Sequence, residues 1–240
     1  DGVGFAIPIN NARWVADQLI ATGSVKRPYL GVQLQGWTAE LREQFGVSSG
    51  QGALVAHVFP GSPAEDAGLE EGDVILEVAG KPIKHGAHLQ GVVEQLSLDQ
   101  SYPMIVLRNG EQVQLEVTFR EMPKDFSSAS RRSQRILGAP DSEEFDELGL
   151  EIGPVDGDAA EQFGIADDAE GVLVTSVEPN SPAAEARIRA GDVIEKVGNH
   201  KVASPEDFDR AVKELSLEQG IVMLVRRGNG THFVVVKSED

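Results

Sequence analysis

Short apolar stretches separated by turn residues run along most of the chain. Residues 53–58, 74–78 and 103–107 are rich in Val and Leu, and apolar and polar residues alternate from Val113 to Phe119. Stretches of this length, bounded by Gly, Pro and Asn, are typical of β-strands. The pattern therefore predicts a small, mainly antiparallel β fold.

Serine-proline pairs predict where short helices begin between these strands. Ser62-Pro63 and Ser181-Pro182 place a hydroxyl at the N-cap and proline at the first helical position, where its missing N–H costs nothing. Ser204-Pro205 predicts a longer helix that runs to residue 215, with acidic residues in its first turn to complement the helix dipole.

The whole pattern occurs twice. Residues 52–64 reappear as residues 171–183, an offset of 119 positions, and Gly72-Asp73-Val74-Ile75 reappears at the same offset as Gly191-Asp192-Val193-Ile194. A repeat of this length indicates two copies of one domain. Each copy is predicted to be α+β in class, mainly β with two or three short helices.

The repeat also predicts the domain boundaries. Residues 28–120 should form the first copy and residues 147–238 the second, after an opening segment of residues 1–27. Residues 121–146 carry no sustained hydrophobic period and are rich in Ser and Arg, so we expect a flexible linker there.

Charge and composition exclude several classes of function. The formal net charge of −18 argues against nucleic acid and anionic membranes as partners, and no run of apolar residues is long enough to insert into a membrane. The absence of Cys excludes disulfides and thiolate metal sites. His85 and His88 lie three residues apart, but no third ligand is indicated by spacing, so we expect neither a metal nor another cofactor.

Each copy opens with a Leu-Gly pair that leads into an alternating strand. A glycine there lets successive backbone amides converge on one point, which is how a backbone nest binds a carboxylate. We expect the strand after the pair to be an open edge, to which a peptide can add by main-chain hydrogen bonds. The candidate binding residues are Tyr29, Leu30, Gly31, Val32 and Leu34 in the first copy and Leu148, Gly149, Leu150 and Ile152 in the second.

The late helix of each copy carries an apolar stripe at helical spacing, which would give such a peptide an apolar wall. Ordinary core packing is an equally good interpretation for the later positions of the stripe. Leu89 and Phe208, near the helix start, are the better groove candidates, and His88 beside them is expected to contact the peptide from the N-cap. The stripe consists of Leu89, Val92, Val93 and Leu96 in the first copy and Phe208, Ala211, Val212 and Leu215 in the second.

Catalytic machinery of the trypsin type is not recognisable in the chain. That chemistry needs a serine in a Gly-x-Ser-Gly-Gly setting, a histidine as base and an acid to orient it. The stretch most similar to this motif, residues 48–52, has no second adjacent glycine. His57, His200 and His232 lie in predicted strands or a turn, so we interpret them as structural.

These motifs, in this order, resemble the paired PDZ domains of bacterial HtrA-type (DegP-like) serine proteases. The similarity covers essentially the whole chain: residues 4–8 resemble the last strand of the family's protease domain, and residues 11–25 the helix that leads to the first PDZ domain. The resemblance implies two PDZ-like domains, each a small, partly open antiparallel β-barrel or sandwich. It also implies a non-catalytic fragment of a periplasmic or cell-envelope endopeptidase.

The resemblance further implies roles for particular residues. The amides of Leu30, Gly31 and Val32 would hold a peptide's terminal carboxylate, assisted by Arg27 or Lys26. In the second copy, Asp146 and Glu147 precede the loop and would repel a carboxylate. The first copy is therefore expected to be the principal binder. Arg187 replaces Gly68, so we expect that turn to be built differently in the second copy.

Two hypotheses follow from the sequence. In the first, the chain recognises substrates and regulates a quality-control protease by binding hydrophobic C-termini or unfolded segments, next to its own protease domain. In the second, it is chiefly an assembly element, in which the second domain docks on the first domain of a neighbouring subunit and so drives oligomerisation.

Overall fold

The computed structural model describes residues 9–23, 28–121, 143–145, 147–155, 165, 169–228 and 230–238. The repeat folds as two similar modules, which we call the first module (residues 28–121) and the second module (the described residues from 143 to 238). Each module is mainly β with short helices, and neither sheet closes into a barrel. The fold class is thus the one the sequence predicts.

The helices begin where the serine-proline pairs predict. The side chains of Ser62, Ser181 and Ser204 each accept a hydrogen bond of 3.2 Å from the backbone N–H three residues on. The last helix ends slightly earlier than predicted. Among the described residues the helices are α1 (Ile9–Thr22), α2 (Ala39–Gln44), α3 (Pro63–Asp66), α4 (Gly86–Val93), α5 (Pro182–Glu185) and α6 (Pro205–Lys213).

The first module is an antiparallel sheet in the order β2-β3-β4-β6-β7, with β5 paired to β4 and a separate ladder between β1 and β8. Its core lies between this sheet and α4. The strands are β1 (Pro28–Tyr29), β2 (Val32–Gln35), β3 (Ala53–Val58), β4 (Val74–Val78), β5 (Lys81–Pro82), β6 (Ser101–Arg108), β7 (Glu111–Thr118) and β8 (Arg120–Glu121).

The second module repeats this sheet in the order β15-β14-β12-β11-β10-β9, with β13 paired to β12. Strand β9 comes from residues that the sequence assigned to the linker, and it extends the sheet beyond β10. The strands are β9 (Glu143–Phe145), β10 (Leu150–Pro154), β11 (Val172–Val177), β12 (Val193–Val197), β13 (His200–Lys201), β14 (Ile221–Arg227) and β15 (Gly230–Val236).

The repeated Gly-Asp motif is explained by a buried ion pair. Asp73 is 1% exposed and accepts two hydrogen bonds of 2.7 Å from the guanidinium of Arg108, which also reaches the carbonyl of Gly68 at 2.7 Å. Asp192 and Arg227 repeat the arrangement. The hydrogen bonds and charge of Asp73 raise the pKa of Arg108. Each ion pair holds the turn that follows the short helix against the last residue of a strand, Arg108 of β6 or Arg227 of β14.

The turn at Arg187 differs from the expectation. Arg187 adopts a φ of +63°, the left-handed conformation that Gly68 adopts at +76°. The hydrogen bonds around the two residues also match, since Ile188 N donates to Ala183 O at 3.0 Å as Leu69 N does to Ala64 O. The prediction of a different turn was wrong, because the neighbouring hydrogen bonds hold the backbone in the same path despite the side chain.

The two modules pack against each other through β15. Phe233 of the second module enters a cluster with Leu41, Leu54 and Val74 of the first, and its ring centroid lies 5.4 Å from that of Phe45. Polar contacts border the cluster: the hydroxyl of Thr231 donates to the carbonyl of Ala56 at 2.7 Å. The modules therefore share a small core of their own.

A charged cluster flanks this interface. Glu71 Oε1 lies 2.7 Å from His57 Nδ1, and Lys196 of the second module donates to the Glu71 carbonyl at 3.1 Å. Burial by itself raises the pKa of Glu71, but the hydrogen bond from His57 and the charge of Lys196 outweigh it, so the pKa is lowered. Lys196 Nζ also lies 3.7 Å from Glu71 Oε2, so the ionised carboxylate links the modules. Among the described residues, no helix is apolar enough over a sufficient length to cross a membrane.

Candidate peptide-binding site

The Leu-Gly loops have nearly identical backbones in the two modules. Gly31 has a φ of +85° and Gly149 a φ of +67°. A Cβ atom on Gly31 would lie 2.2 Å from the Cβ of Ser62, and one on Gly149 would lie 2.2 Å from the Cβ of Ser181. Only glycine fits, because the loop passes directly over the serine that caps the following helix.

Hydrogen bonds orient the peptide groups of each loop. The carbonyl of Leu30 accepts from Ala64 N at 2.8 Å, and the carbonyl of Gly31 accepts from Phe59 N at 3.0 Å. Because C=O and N–H point in opposite directions across a planar trans peptide, the amides of Gly31 and Val32 point away from these anchors. The same anchors hold Leu148 and Gly149, at 3.1 and 3.0 Å.

The two loops differ in what their amides meet. Within the described part of the chain, the amides of Leu30 and Gly31 have no hydrogen-bond acceptor. In the second module, Leu148 N and Gly149 N both donate to the carbonyl of Phe145, at 3.0 and 2.9 Å. In the described residues, the second loop thus holds an oxygen from its own chain, whereas no such acceptor meets the two amides of the first loop.

Strand β2 presents an edge beside the first loop. Among the described residues it pairs with β3 alone, and its residues are half-buried. Val32 and Leu34 pack on the module core, and Leu34 also reaches α4, because a Cβ atom on Gly86 would lie 3.1 Å from its Cδ1. The edge and the helix thus form the two sides of a groove that narrows at Gly86.

Helix α4 forms the wall of this groove from residues that also belong to the core. Leu89, Val92 and Val93 are 2%, 4% and 6% exposed and share one cluster with Leu30. Tyr29, next to the loop, is also buried, and burial raises the pKa of its phenol although the charge of Arg120 opposes the shift. These side chains thus pack in the core, and their role as the wall of a peptide groove stays a prediction.

The histidines at the start of α4 cap the helix. His85, not His88, is the N-cap residue, and its Nδ1 accepts from His88 N at 3.1 Å. His88 Nδ1 in turn accepts from Lys84 N at 3.3 Å. The expectation that His88 occupies the N-cap was wrong by three residues, because the imidazole of His85 can accept the amide hydrogen bond that Ser accepts in the other helices.

The second groove is occupied by the chain itself. Strand β9 pairs antiparallel with β10, so that Phe145 stands opposite Leu150. The expected open edge after Gly149 is therefore covered. The ring of Phe145 packs against that of Phe208, with centroids 5.0 Å apart and an interplanar angle of 76°.

The wall of the second groove is as buried as that of the first. Phe208 is 0% exposed and Ala211 is 3% exposed, while Val212 is half-buried against the same core. Leu148, Leu150 and Ile152 on the strand side are 1%, 1% and 0% exposed. Phe208 thus contacts both the core and Phe145.

Three candidate residues, Arg27, Lys26 and Asp146, lie outside the described residues.

The sequence analysis did not identify two residues at the site, Phe145 and Gly86. Phe145 falls in a stretch without hydrophobic period, and Gly86 looks like an ordinary turn residue. The spacing of Phe145, three residues before Leu148, was the signal that could have drawn attention to it.

A comparison with protein families defines the class of protein. The model of the PDZ domain matches residues 28–119 and again residues 147–237. The chain therefore belongs to the PDZ domain family, and it contains two such domains in tandem.

Similar proteins narrow the class further. The chain is 35% identical over 240 residues to a probable periplasmic serine endoprotease DegP-like of Chlamydia pneumoniae, covering 100% of this chain and 46% of that protein. It is 36% identical over 236 residues to the protein of the same description from Halomonas elongata, covering 98% of this chain and 48% of that protein. The chain spans less than half the length of these curated relatives.

A solved structure of the HtrA-type protease AlgW with a decapeptide is 36% identical. The match covers 51% of this chain and 38% of that one, with a TM-score of 0.46. The chain thus consists of two PDZ domains similar in sequence to DegP-like serine endoproteases, and PDZ domains generally bind peptides.

Proposed function

We propose that the chain is the substrate-recognition and regulatory region of a periplasmic HtrA-type serine endopeptidase. In this proposal the first module binds hydrophobic C-terminal or extended peptides by strand addition to β2. The observation that carries it is the pairing of an open β2 edge with two loop amides that have no acceptor among the described residues.

The first module offers a contact for each part of a bound peptide. Its main chain would hydrogen-bond to β2, its terminal carboxylate would accept from the amides of Leu30 and Gly31, and an apolar last side chain would contact Leu89 and Val92. A micromolar affinity corresponds to about −8 kcal/mol, which is enough when many substrate ends are presented together. Arg27, which precedes the loop in sequence, would add a favourable charge.

Two glycines of α4 provide a test of the groove. In Gly86→Leu, the new side chain must displace Leu34 and narrow the groove, and we expect the affinity for a hydrophobic-ended peptide to fall roughly tenfold or more. Gly91→Leu is the matched control, since nothing lies within 4 Å of a Cβ atom there.

Isothermal titration of both variants with one synthetic peptide measures the difference. Circular dichroism checks that both variants are folded. If the two folded variants bind the peptide with equal affinity, the peptide does not bind between β2 and α4.

A second candidate function is assembly with the rest of a longer protein or with neighbouring subunits. Helix α1 favours it, because Ile9 and Ile20 are 78% and 84% exposed and Leu19 is 48% exposed. Side chains of this kind favour burial against a partner. Sedimentation of the chain with Ile20→Glu tests self-association through α1, and an unchanged association state would remove α1 from any contact between subunits.

A further inference from the structure

Strand β9 has the position and direction of a peptide bound to a PDZ groove. It lies on the edge of β10 that faces away from β11, and it runs antiparallel to β10. The register places Phe145 opposite Leu150, Glu144 opposite Glu151 and Glu143 opposite Ile152. An added peptide strand would form the same main-chain ladder.

Phe145 has the two contacts that the last residue of such a peptide needs. Its carbonyl oxygen accepts from Leu148 N and Gly149 N at 3.0 and 2.9 Å, where a terminal carboxylate would be held. Its ring packs edge-to-face on Phe208, 5.0 Å away, and against the module core. We propose that residues 143–145 are an internal ligand that fills the second groove, and that this groove binds phenylalanine-containing extended peptides when β9 is displaced.

The inference rests on the proposed function in one respect, since it takes the Leu-Gly loop as the site of a ligand's terminal oxygen. It adds a ligand class and a form of regulation for the second module. Among the described residues, the edge of β2 in the first module carries no such strand, and the second module becomes a groove that opens only by competition.

The features of β9 suit a displaceable ligand better than an integral strand. It is three residues long and pairs with β10 alone among the described residues. Phe145 is only partly buried, in contrast to Phe208.

The sequence of the first module lacks this internal ligand. Phe145 stands three residues before Leu148, and Arg27 stands three residues before Leu30. A guanidinium is a poor occupant of an apolar pocket because burying an unpaired charge is costly. This position in the sequence therefore distinguishes the two modules.

The internal ligand lowers the apparent affinity of the second groove for external peptides. A tether as short as residues 146–147 holds Phe145 at an effective concentration on the order of millimolar. An external peptide must overcome that occupancy, so its apparent affinity falls by the fraction of time the groove is open. A peptide with phenylalanine at its free carboxyl end reproduces the contacts of Phe145 and is the expected competitor.

The test compares the wild-type chain with Phe145→Ser, using a synthetic peptide that ends in Glu-Glu-Phe with a free carboxylate. We expect the variant to bind this peptide at the second module roughly tenfold or more tightly than the wild type does. Phe126→Ser is the matched control, because it makes the same change between the modules in sequence but outside β9. Amide chemical shifts locate the binding, with changes expected at Leu148 to Ile152 and along α6.

Each outcome decides the proposal. Tighter binding that maps to β10 and α6 supports it, whereas unchanged binding by a folded second module overturns it. Loss of the folded second module in Phe145→Ser also overturns it, because β9 would then be part of the fold and not a ligand. If the variant gains affinity equally for the acid and the amide forms of the peptide, the internal ligand stands and carboxylate recognition fails.

Discussion

Arg187 shows how single residues maintain the common fold of two different sequences. Its backbone is left-handed, with a φ of +63°, and its carbonyl accepts from Arg227 at 2.8 Å as that of Gly68 accepts from Arg108. A non-glycine residue in this conformation costs roughly 1–2 kcal/mol. The surrounding hydrogen bonds and the buried ion pair of Asp192 offset that cost.

Arg187→Gly should therefore stabilise the second module. Removing the Cβ relieves the strain of the left-handed backbone, whereas glycine makes the unfolded chain more flexible and so opposes this gain. The net effect that we expect is an increase of about 0.5–1 kcal/mol in the free energy of unfolding. Urea denaturation of the chain measures it. Gly68→Ala is the reciprocal control, since nothing lies within 4 Å of the new Cβ, and it should destabilise by a similar amount. A loss of stability in Arg187→Gly would contradict this account.

At this scale the sequence predicted the caps but not the turn. Ser62 and Ser181 are local signals, because the hydroxyl and the amide it binds lie three residues apart. The conformation of Arg187 depends on Arg227, forty residues away, and a local pattern carries no information on such a contact.

Helix α4 illustrates how a helix without a serine cap is held at its start. It has no serine at its start, and His85 and His88 accept the backbone N–H groups of His88 and Lys84 instead. Unsatisfied amides at a helix start weaken the first turn, which here carries Leu89 toward the groove. The imidazoles therefore support the helix that we propose as the wall of the peptide groove.

His85→Ala should destabilise α4 by about 1 kcal/mol, the usual effect of losing an N-cap acceptor. His85→Asn should retain most of the stability because its side-chain oxygen can accept the same hydrogen bond. Hydrogen exchange of the His88 amide, together with urea denaturation, measures both effects. His200→Ala, on an exposed hairpin, serves as the control. Equal exchange rates in wild type and His85→Ala would rule out the capping role.

Element prediction was good where a period exists and failed where it does not. Strands β3 and β4 begin and end at the predicted residues, because their burial leaves a clear apolar run. Strand β9 was assigned to a linker, because three residues of Glu-Glu-Phe are too few to show a hydrophobic period, and its partners, β10 and Phe208, lie elsewhere in the sequence.

In the whole molecule, strand β2 belongs to the module interface as well as to the proposed peptide groove. Its Val32 and Leu34 face the first core, while Gln33 and Gln35 reach the second module. The side-chain amide of Gln35 donates to Phe233 O at 2.8 Å and accepts from Phe233 N at 2.6 Å, as a neighbouring strand would. The docked second module therefore supports the strand to which a peptide would add.

Gln35→Ala should weaken the docking of the modules. It leaves both backbone groups of Phe233 without these partners, which costs roughly 1–3 kcal/mol at a partly buried site. Trp37 reports the change, because its ring packs on Phe45, which contacts Phe233. Urea denaturation followed by Trp37 fluorescence in a Trp14→Phe background measures the shift, with the exposed Gln114→Ala as the control. Identical midpoints for Gln35→Ala and the control would contradict the role of Gln35.

The docking could not be predicted from the sequence. Gln33 and Gln35 alternate with apolar residues, and polar positions in such a pattern normally face solvent. Only the three-dimensional arrangement reveals that β15 of the second module lies against them. The repeat, in contrast, predicted two similar modules, because the same core positions recur at a constant offset.

The central claim is that the first module binds a peptide through its terminal carboxylate. Isothermal titration of the wild-type chain with one hydrophobic-ended peptide, as the free acid and as the C-terminal amide, tests it most directly. The account predicts that the acid binds about tenfold or more tightly, and that its binding shifts the amide resonances of Leu30 and Gly31. Equal affinities of the acid and the amide would contradict it.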